Sequence, residues 1–244
     1  MRTSGNAAII VAAGSGQRMK NSTPKQFLKL ANHPILWYTL KPFVQCKDID
    51  QIFLVTPALY HNKCINEIIK PLIKEFNIVD FDRPTISCIP GGARRQDSVY
   101  AGLQAIDSLA DIVIIHDGVR PFVTANQISR IINQARKKKA VIFGIRPRDT
   151  VKMIDQKNFI KQSIDRDCLL LAQTPQAFSY AIIKKAHDYA KNKGLDATDD
   201  AMLVEQMGEK VYVEQGHTLN IKITTPEDLI FSETILSFWP HDTQ

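Results

Sequence analysis

Two hydrophobic rhythms alternate along this chain. Short apolar runs have the form of strands: Ile9-Ile10-Val11 among alanines, continuous as a strand covered on both faces must be, then Q-I-F-L-V-T from Gln51, T-I-S-C-I-P from Thr85, D-I-V-I-I-H-D from Asp111 and A-V-I-F-G-I from Ala140. Between them lie stretches with helical spacing. One covers P-I-L-W-Y-T-L-K-P-F-V and is interrupted by Pro42, and a second runs from Tyr60 to Phe76 with Pro71 inside it. Two more span about Arg95 to Leu109 and about Ala125 to Lys139. Such β-α alternation predicts right-handed crossovers and a mainly parallel sheet in one α/β domain over residues 1–244.

The segment from Arg146 to Asp165 breaks this rhythm. T-V-K-M-I-D-Q-K-N-F-I-K-Q-S-I-D alternates apolar and polar residues about a polar centre near Asp155 to Asn158, which predicts a hairpin. A lone two-stranded hairpin is marginal in water, so it needs a surface to pack on, and a partner subunit is the economical candidate. L-L-L-A-Q-T-P-Q-A-F then returns the chain to the core, followed by a helix from about Tyr180 to Lys193. In T-D-D-A-M-L-V-E-Q-M-G, Thr198 is a plausible N-cap, with Asp199 and Asp200 divided between helix capping and a functional role. A strand at K-V-Y-V-E precedes N-I-K-I-T-T-P-E-D-L, where Thr225, Pro226 and Glu227 mark a helix start. Lys222 interrupts an apolar strand there and reads by itself as an outward-facing edge lysine.

Ligands of parallel sheets bind beyond the carboxyl ends of the strands, and that rule gathers the suspicious residues at one rim. Gly14 to Lys25 follow the first strand, Gly91-Gly92-Ala93-Arg94-Arg95-Gln96-Asp97-Ser98 follow the third, and Asp117-Gly118-Val119-Arg120 end the fourth. Gly14 and Gly16 give main-chain N–H groups close access to anionic oxygens. The dinucleotide fingerprint would need a third glycine where Met19 stands, and the G-K-[ST] of a P-loop is missing. What the loop brings is cations: Arg18 offers a planar donor fork and Lys25 a point charge, a pair suited to polyphosphate.

Composition narrows the picture further. A hydrophobic content of 44% supports a full core, and the formal charge of +6 is modest. The only dense basic run, Arg136 to Lys139, closes an amphipathic helix, where the dipole and solvent account for it, so no nucleic-acid partner is expected. Cys46, Cys64, Cys88 and Cys168 lie far apart with no zinc-like spacing and read as thiols of a reducing compartment. M-R-T-S-G-N lacks the apolar core of a signal peptide and no run reaches membrane-helix length, so the expected location is the cytoplasm.

The ordered series A-A-G-S-G-Q-R-M, P-K-Q-F, G-G-A-R-R-Q-D-S-V, H-D-G-V-R-P, R-D-T-V-K, I-D-R, Q-T-P-Q-A-F, T-D-D-A and N-I-K-I-T-T-P-E-D-L resembles the 2-C-methyl-D-erythritol 4-phosphate cytidylyltransferases of the non-mevalonate isoprenoid pathway. It runs from about Ala7 to Leu229. The resemblance implies a Rossmann-like nucleotidyltransferase fold with a β-arm at about 146–168 that builds a homodimer. It also implies condensation of CTP with methylerythritol phosphate, with Mg²⁺, to the cytidine diphospho-sugar alcohol and pyrophosphate.

Carried over position by position, the resemblance makes Ala13, Gly14, Ser15 and Gly16 the phosphate loop, with Arg18 and Lys25 stabilising charge at the CTP phosphates. Gly91, Gly92 and Ser98 fall where the cytidine end is recognised, and Asp117 matches an acid beside substrate and metal. Arg120, Thr150, Arg166, Thr174 and Lys222 match positions that hold the acceptor, Arg166 and Lys222 orienting it for attack. Three positions depart from the family pattern: Arg94 where an acid is usual, Val119 where alanine is, and Leu170 where tryptophan is.

A phosphate-oxygen nucleophile is already anionic near neutral pH, so none of the six histidines is needed as a base and His116 is expected to be structural. Positioning and charge neutralisation are what such a transfer requires. Two other readings remain open, a cytidylyltransferase for another polyol phosphate such as ribitol 5-phosphate and a non-catalytic nucleotide-binding protein.

Overall fold

A computed structural model of the chain describes residues 5–14, 19, 23–78, 84–106 and 110–239. In chain order the first half comprises β1 (Gly5–Val11), the small pair β2 (Lys29–Leu30) and β3 (His33–Pro34), α1 (Ile35–Gln45) and β4 (Gln51–Thr56). A composite helical segment then contains α2 (His61–Cys64) and α3 (Lys70–Glu75), followed by β5 (Thr85–Pro90), α4 (Arg95–Ala105), β6 (Ala110–Asp117), α5 (Ala125–Lys138) and β7 (Ala140–Ile145). Beyond these come β8 (Val151–Ile154), β9 (Ile160–Ile164), β10 (Leu171–Ser179), α6 (Tyr180–Lys193), α7 (Asp200–Gln206), β11 (Tyr212–Gln215) and α8 (Pro226–Phe238).

Seven strands form one sheet in the order β11-β7-β10-β6-β1-β4-β5, in which β10 alone runs antiparallel to its neighbours. The expected α/β fold with a mainly parallel sheet is therefore present. The runs of β1, β4, β6 and β7 are buried from both sides because successive residues face opposite layers, whereas β5 lies at the sheet edge and none of its residues is fully buried. Ala8 and Ile10 pack into the layer of α1 and α5, while Ala7 and Ile9 join Val99 and Leu103 of α4 and Ile183 of α6. A third cluster ties Val119, Phe122 and Ile223 to the inner face of α8.

Two prolines behave differently from expectation or from each other. Pro42 does not break α1, which continues to Gln45 with both Pro42 and Phe43 buried; packing outweighs the lost N–H. Ahead of Pro71 the chain widens instead into a π-helical turn over Ile65–Ile69, where the Lys70 N–H reaches back to the Ile65 carbonyl. The helix beginning at Arg95 ends at Ala105, earlier than its apolar pattern predicts. Asp199, not Thr198, caps α7: its side chain accepts from the Met202 N–H at 3.0 Å. Thr225 caps α8 as expected, with Asp228 completing a capping box.

β8 and β9 pair antiparallel with each other and, among the described residues, with no other strand, so the expected hairpin stands apart from the seven-stranded sheet. Met153, Ile154, Phe159 and Ile160 on it are all at least half exposed.

Candidate functional site

Parallel pairing in register brings the carboxyl ends of the strands level, with Val11 opposite Val55 and Asp117, and Thr56 opposite Pro90. The chain leaving each strand is then fastened to its neighbour. Ala12 N–H donates to Val55 O, Gly118 N–H to Val11 O and Gly91 N–H to Thr56 O, all at 2.8 to 2.9 Å. Gly91 is required for close approach: a Cβ there would collide with the Ala13 side chain, locking the third-strand loop against the first. Gly92 is similarly confined by Asp97, and its N–H donates to Ser98 Oγ at 3.1 Å.

These loops enclose a cavity of about 180 Å³ whose walls include Ala13, Gly14, Lys25, Gly92, Arg94, Arg95, Ser98, Asp117, Val119 and Lys222. Four of its described side chains are cationic and one is a carboxylate, so its walls carry net positive charge above a buried acid. Lys25 stands in a single 3₁₀ turn, Lys25–Phe27, that is fixed by the buried Gln26 amide donating to Ala12 O at 2.6 Å. Lys25 Nζ donates to Ile223 O at 3.2 Å, which brings it beside the Lys222 segment.

Asp117 organises the charge. Its Oδ1 accepts from Arg95 Nε at 3.0 Å, and its Oδ2 faces Lys222 Nζ at 2.9 Å and Arg120 Nε at 3.4 Å. Burial alone would raise the pKa of this carboxyl, but Arg95, Lys222 and Arg120 prevail and hold it well below the usual range. Asp117 is thus a fixed anion. Burial also lowers Arg120, partly offset by Asp117, and Arg120 Nη1 donates to Asn220 O at 2.8 Å.

Lys222 is no edge lysine: residues 216–224 contain no strand, and the segment is clamped by side chains. Asn220 Nδ2 donates to Thr174 O at 2.8 Å, Gln173 Nε2 to His217 O at 3.0 Å, and Ile223 N–H to Val119 O at 3.0 Å. A loop without its own ladder therefore presents a cation with the precision of the sheet. Thr174 is buried below the pocket, where its Oγ1 accepts from the Asp117 N–H at 3.1 Å and meets His116 Nδ1 at 3.0 Å. His116 is fully buried with Nε2 against Arg120 O, and burial lowers its pKa to about 4, so it is a neutral strut near pH 7.

Of the other expected residues, Arg18, Ser15 and Gly16 lie outside the described residues. Thr150 and Arg166 stand exposed at the base of the arm and do not join the walls of the cavity; Arg166 Nη1 donates to Arg148 O at 2.7 Å. Arg94 reaches the cavity and pairs with Asp97 and Asp196 at 2.7 and 3.3 Å, while Leu170 fills the space left open by Gly144. Arg95 was the residue that the sequence pattern left unassigned. A cation in the first turn of a helix opposes the helix dipole, and that misfit is the signal it carries.

A family model for IspD, 2-C-methyl-D-erythritol 4-phosphate cytidylyltransferase, matches residues 6–238. The chain belongs to this family. A 2-C-methyl-D-erythritol 4-phosphate cytidylyltransferase of Clostridium botulinum is 44% identical over 95% of this chain and 97% of the relative. One from Clostridium acetobutylicum is 43% identical over the same shares. Among solved structures, the 4-diphosphocytidyl-2C-methyl-D-erythritol synthase of Anaerococcus prevotii superposes with a TM-score of 0.82 at 34% identity, covering 96% of this chain and 97% of that one. The Francisella tularensis IspD structure gives 0.76 at 31%, over 95% and 99%. As a family member the chain is a nucleotidyltransferase, and its Rossmann-like sheet is the family's fold. Among the described residues no helix is long and apolar enough to cross a membrane.

Proposed function

We propose that this chain joins CTP to 2-C-methyl-D-erythritol 4-phosphate, releasing pyrophosphate and 4-diphosphocytidyl-2-C-methyl-D-erythritol for isoprenoid precursor synthesis in the cytoplasm. The observation that carries this reading is the pairing of Lys25 and Lys222 across one cavity over the buried Asp117 anion. Two anions must be brought together while charge grows on the pyrophosphate. Unit charges ~4 Å apart interact by about 4 kcal/mol at an effective dielectric near 20, so one cation cannot offset a triphosphate meeting a monophosphate. Lys25, with Arg18 of the same loop, would neutralise the nucleotide phosphates. Lys222, tethered by Asp117, would turn to the acceptor phosphate and hold its oxygen near the α-phosphorus. The base would lie against Gly92 and Ser98, where small residues leave backbone groups accessible.

Mg²⁺ commonly binds through one or two carboxylates plus substrate phosphates, and Asp117, the single carboxylate among the described walls of the cavity, fits that demand. Magnesium held there and by phosphate oxygens would supply further charge neutralisation. No group of three or more acidic, His or Cys ligands for a metal occurs among the described residues.

Arg166 and Thr150 complete the acceptor site in this reading when the arm of a second copy delivers them. The arm's exposed Met153, Ile154, Phe159 and Ile160 support a homodimer, because apolar side chains on a self-paired hairpin gain most from a covering surface. The test is pyrophosphate release with CTP and Mg²⁺, comparing methylerythritol phosphate with ribitol 5-phosphate. Release with the first alone is the expected result. Release with ribitol 5-phosphate alone would replace the acceptor, and silence with both would leave a nucleotide-binding protein.

A further inference from the structure

Asp200 and His187 take no part in the transfer just described, yet both are almost fully buried and joined to the pocket. His187 Nε2 lies 3.0 Å from Asp200 Oδ1, Asp200 Oδ2 accepts from Arg95 Nη1 at 2.7 Å, and Arg95 Nε donates to Asp117 Oδ1 at 3.0 Å. The row of contacts passes from α6 through the first residues of α7 and α4 to the end of β6. We infer that Asp200, supported by His187, is a positioning residue for the transfer, acting through Arg95 to hold the Asp117 carboxylate in the orientation that anchors Lys222. The inference rests on the proposed function and adds residues to the same site.

Capping does not explain Asp200, because the α7 cap is made by its neighbour Asp199. Mere stability is also a poor explanation. A buried ion pair gives up hydration that its Coulomb attraction only partly returns, and well-packed apolar residues often serve as well or better. Arg95 Nη2 is buried with no hydrogen-bond partner, a further cost of holding this guanidinium here.

What the arrangement secures is direction. Arg95 is held at two points, Nη1 by Asp200 Oδ2 and Nε by Asp117 Oδ1, which fixes the plane of the guanidinium and leaves Asp117 Oδ2 turned toward Lys222 and Arg120. Burial opposes the charge on Asp200, but Arg95 and the His187 hydrogen bond hold its carboxyl below the usual range, so the two-point hold persists near neutral pH. With Asp200 neutralised, Nη1 loses its charged anchor, and the guanidinium, held by Nε alone, is free to turn onto Asp117 and draw Oδ2 away from Lys222. The cavity would then carry more positive charge, which does not weaken nucleotide binding.

The experiment is steady-state pyrophosphate release by Asp200→Asn, His187→Gln, Arg95→Lys and the Asp200→Asn/Arg95→Lys double variant, each with its melting temperature. Asp199→Ala serves as control because it removes the cap of the same helix. Asp200→Asn is expected to lower kcat tenfold or more with the KM for CTP within twofold. Asp199→Ala should lower the melting temperature and leave kcat within twofold. In the Arg95→Lys background, where the forked bridge is already lost, Asp200→Asn should cost less than a further twofold.

A folded Asp200→Asn protein with kcat within twofold of the parent overturns the inference. So does a tenfold loss that persists in the Arg95→Lys background, or an equal loss from Asp199→Ala. Should Asp200→Asn not fold, His187→Gln decides: a threefold or greater fall in kcat at unchanged KM for CTP supports the relay, and an unchanged kcat rejects it. If the unaltered protein used ribitol 5-phosphate instead, the acceptor assignment would fall while the same variants, read with that acceptor, would still test the relay.

Discussion

Lys25 and Lys222 reach the cavity from loops clamped onto the sheet, whereas Arg166 and Thr150 stand at the base of a hairpin whose strands pair only with each other. The first pair is surrounded by core: Ile9, Ile10, Ile114 and Ile115 beneath them have no exposed surface. The second pair has little beneath it, and apolar side chains on the arm face outward. The contrast teaches that one chain positions the cationic rim and acidic floor of its pocket unaided. Any function of the arm depends on another surface. A defect at the rim should therefore act within a subunit, and a defect on the arm only between subunits.

The largest expected effect is at the rim. Lys25→Ala should reduce turnover by about 100- to 1000-fold, the cost of losing one preorganised group that stabilises transition-state charge, with the melting temperature preserved. Near-normal turnover would remove Lys25 from the transition state. Lys222→Ala and Arg166→Ala sharpen the comparison, since the proposed function has them meet the acceptor from opposite regions: each should raise the KM for acceptor about tenfold or more, and normal saturation in both would refute the assignment.

Mixing those two variants breaks the comparison open. If an arm serves its neighbour, a heterodimer of Lys222→Ala and Arg166→Ala chains should contain one intact site and recover part of the activity. Absence of recovery in a demonstrated heterodimer would confine each arm to its own chain. Phe159→Asp should shift the protein toward monomer by gel filtration and lower activity about tenfold if dimer formation completes the site, at little cost to the fold of the subunit.

The smallest effect concerns stability. His116 is buried neutral with a pKa lowered to about 4, against an ordinary value of 6.5. A depressed folded-state value contributes stability that is complete above 6.5 and lost as the pH falls toward 4. At pH 5 the loss is about 2 kcal/mol relative to pH 7. Denaturant titrations at the two pH values should show that slope, and it should diminish in His116→Gln if this ring is its source.

Much of the sheet was legible because its strands are continuous apolar runs ending in glycine or proline, and the rule for parallel sheets then placed Gly14, Ser98 and Asp117 at one rim. Lys222 was harder to place. The apolar neighbours Ile221 and Ile223 suggest a strand, but their partners are Val119 and the α8 cluster, so no local pattern reveals that the lysine turns inward. Arg95 and Asp200 were obscure for a related reason: each is explained by a carboxylate or guanidinium about 20 to 100 residues distant. The alternation of the arm announced a hairpin clearly, but alternation on a two-stranded ribbon says nothing about which surface covers it.

The reversed direction of β10 has an evolutionary consequence. β7 ends at the rim and β10 starts there, with Leu171 paired to Ile145 at the point of re-entry. The arm is therefore an outgrown loop on a closed two-strand stem. Lengthening such a loop carries only a slow entropic cost, about 0.6 kcal/mol for each doubling, and leaves the register of the sheet untouched. Selection can thus redraw the tip of the arm while the strand register that places Lys25, Asp117 and Lys222 is inherited unchanged.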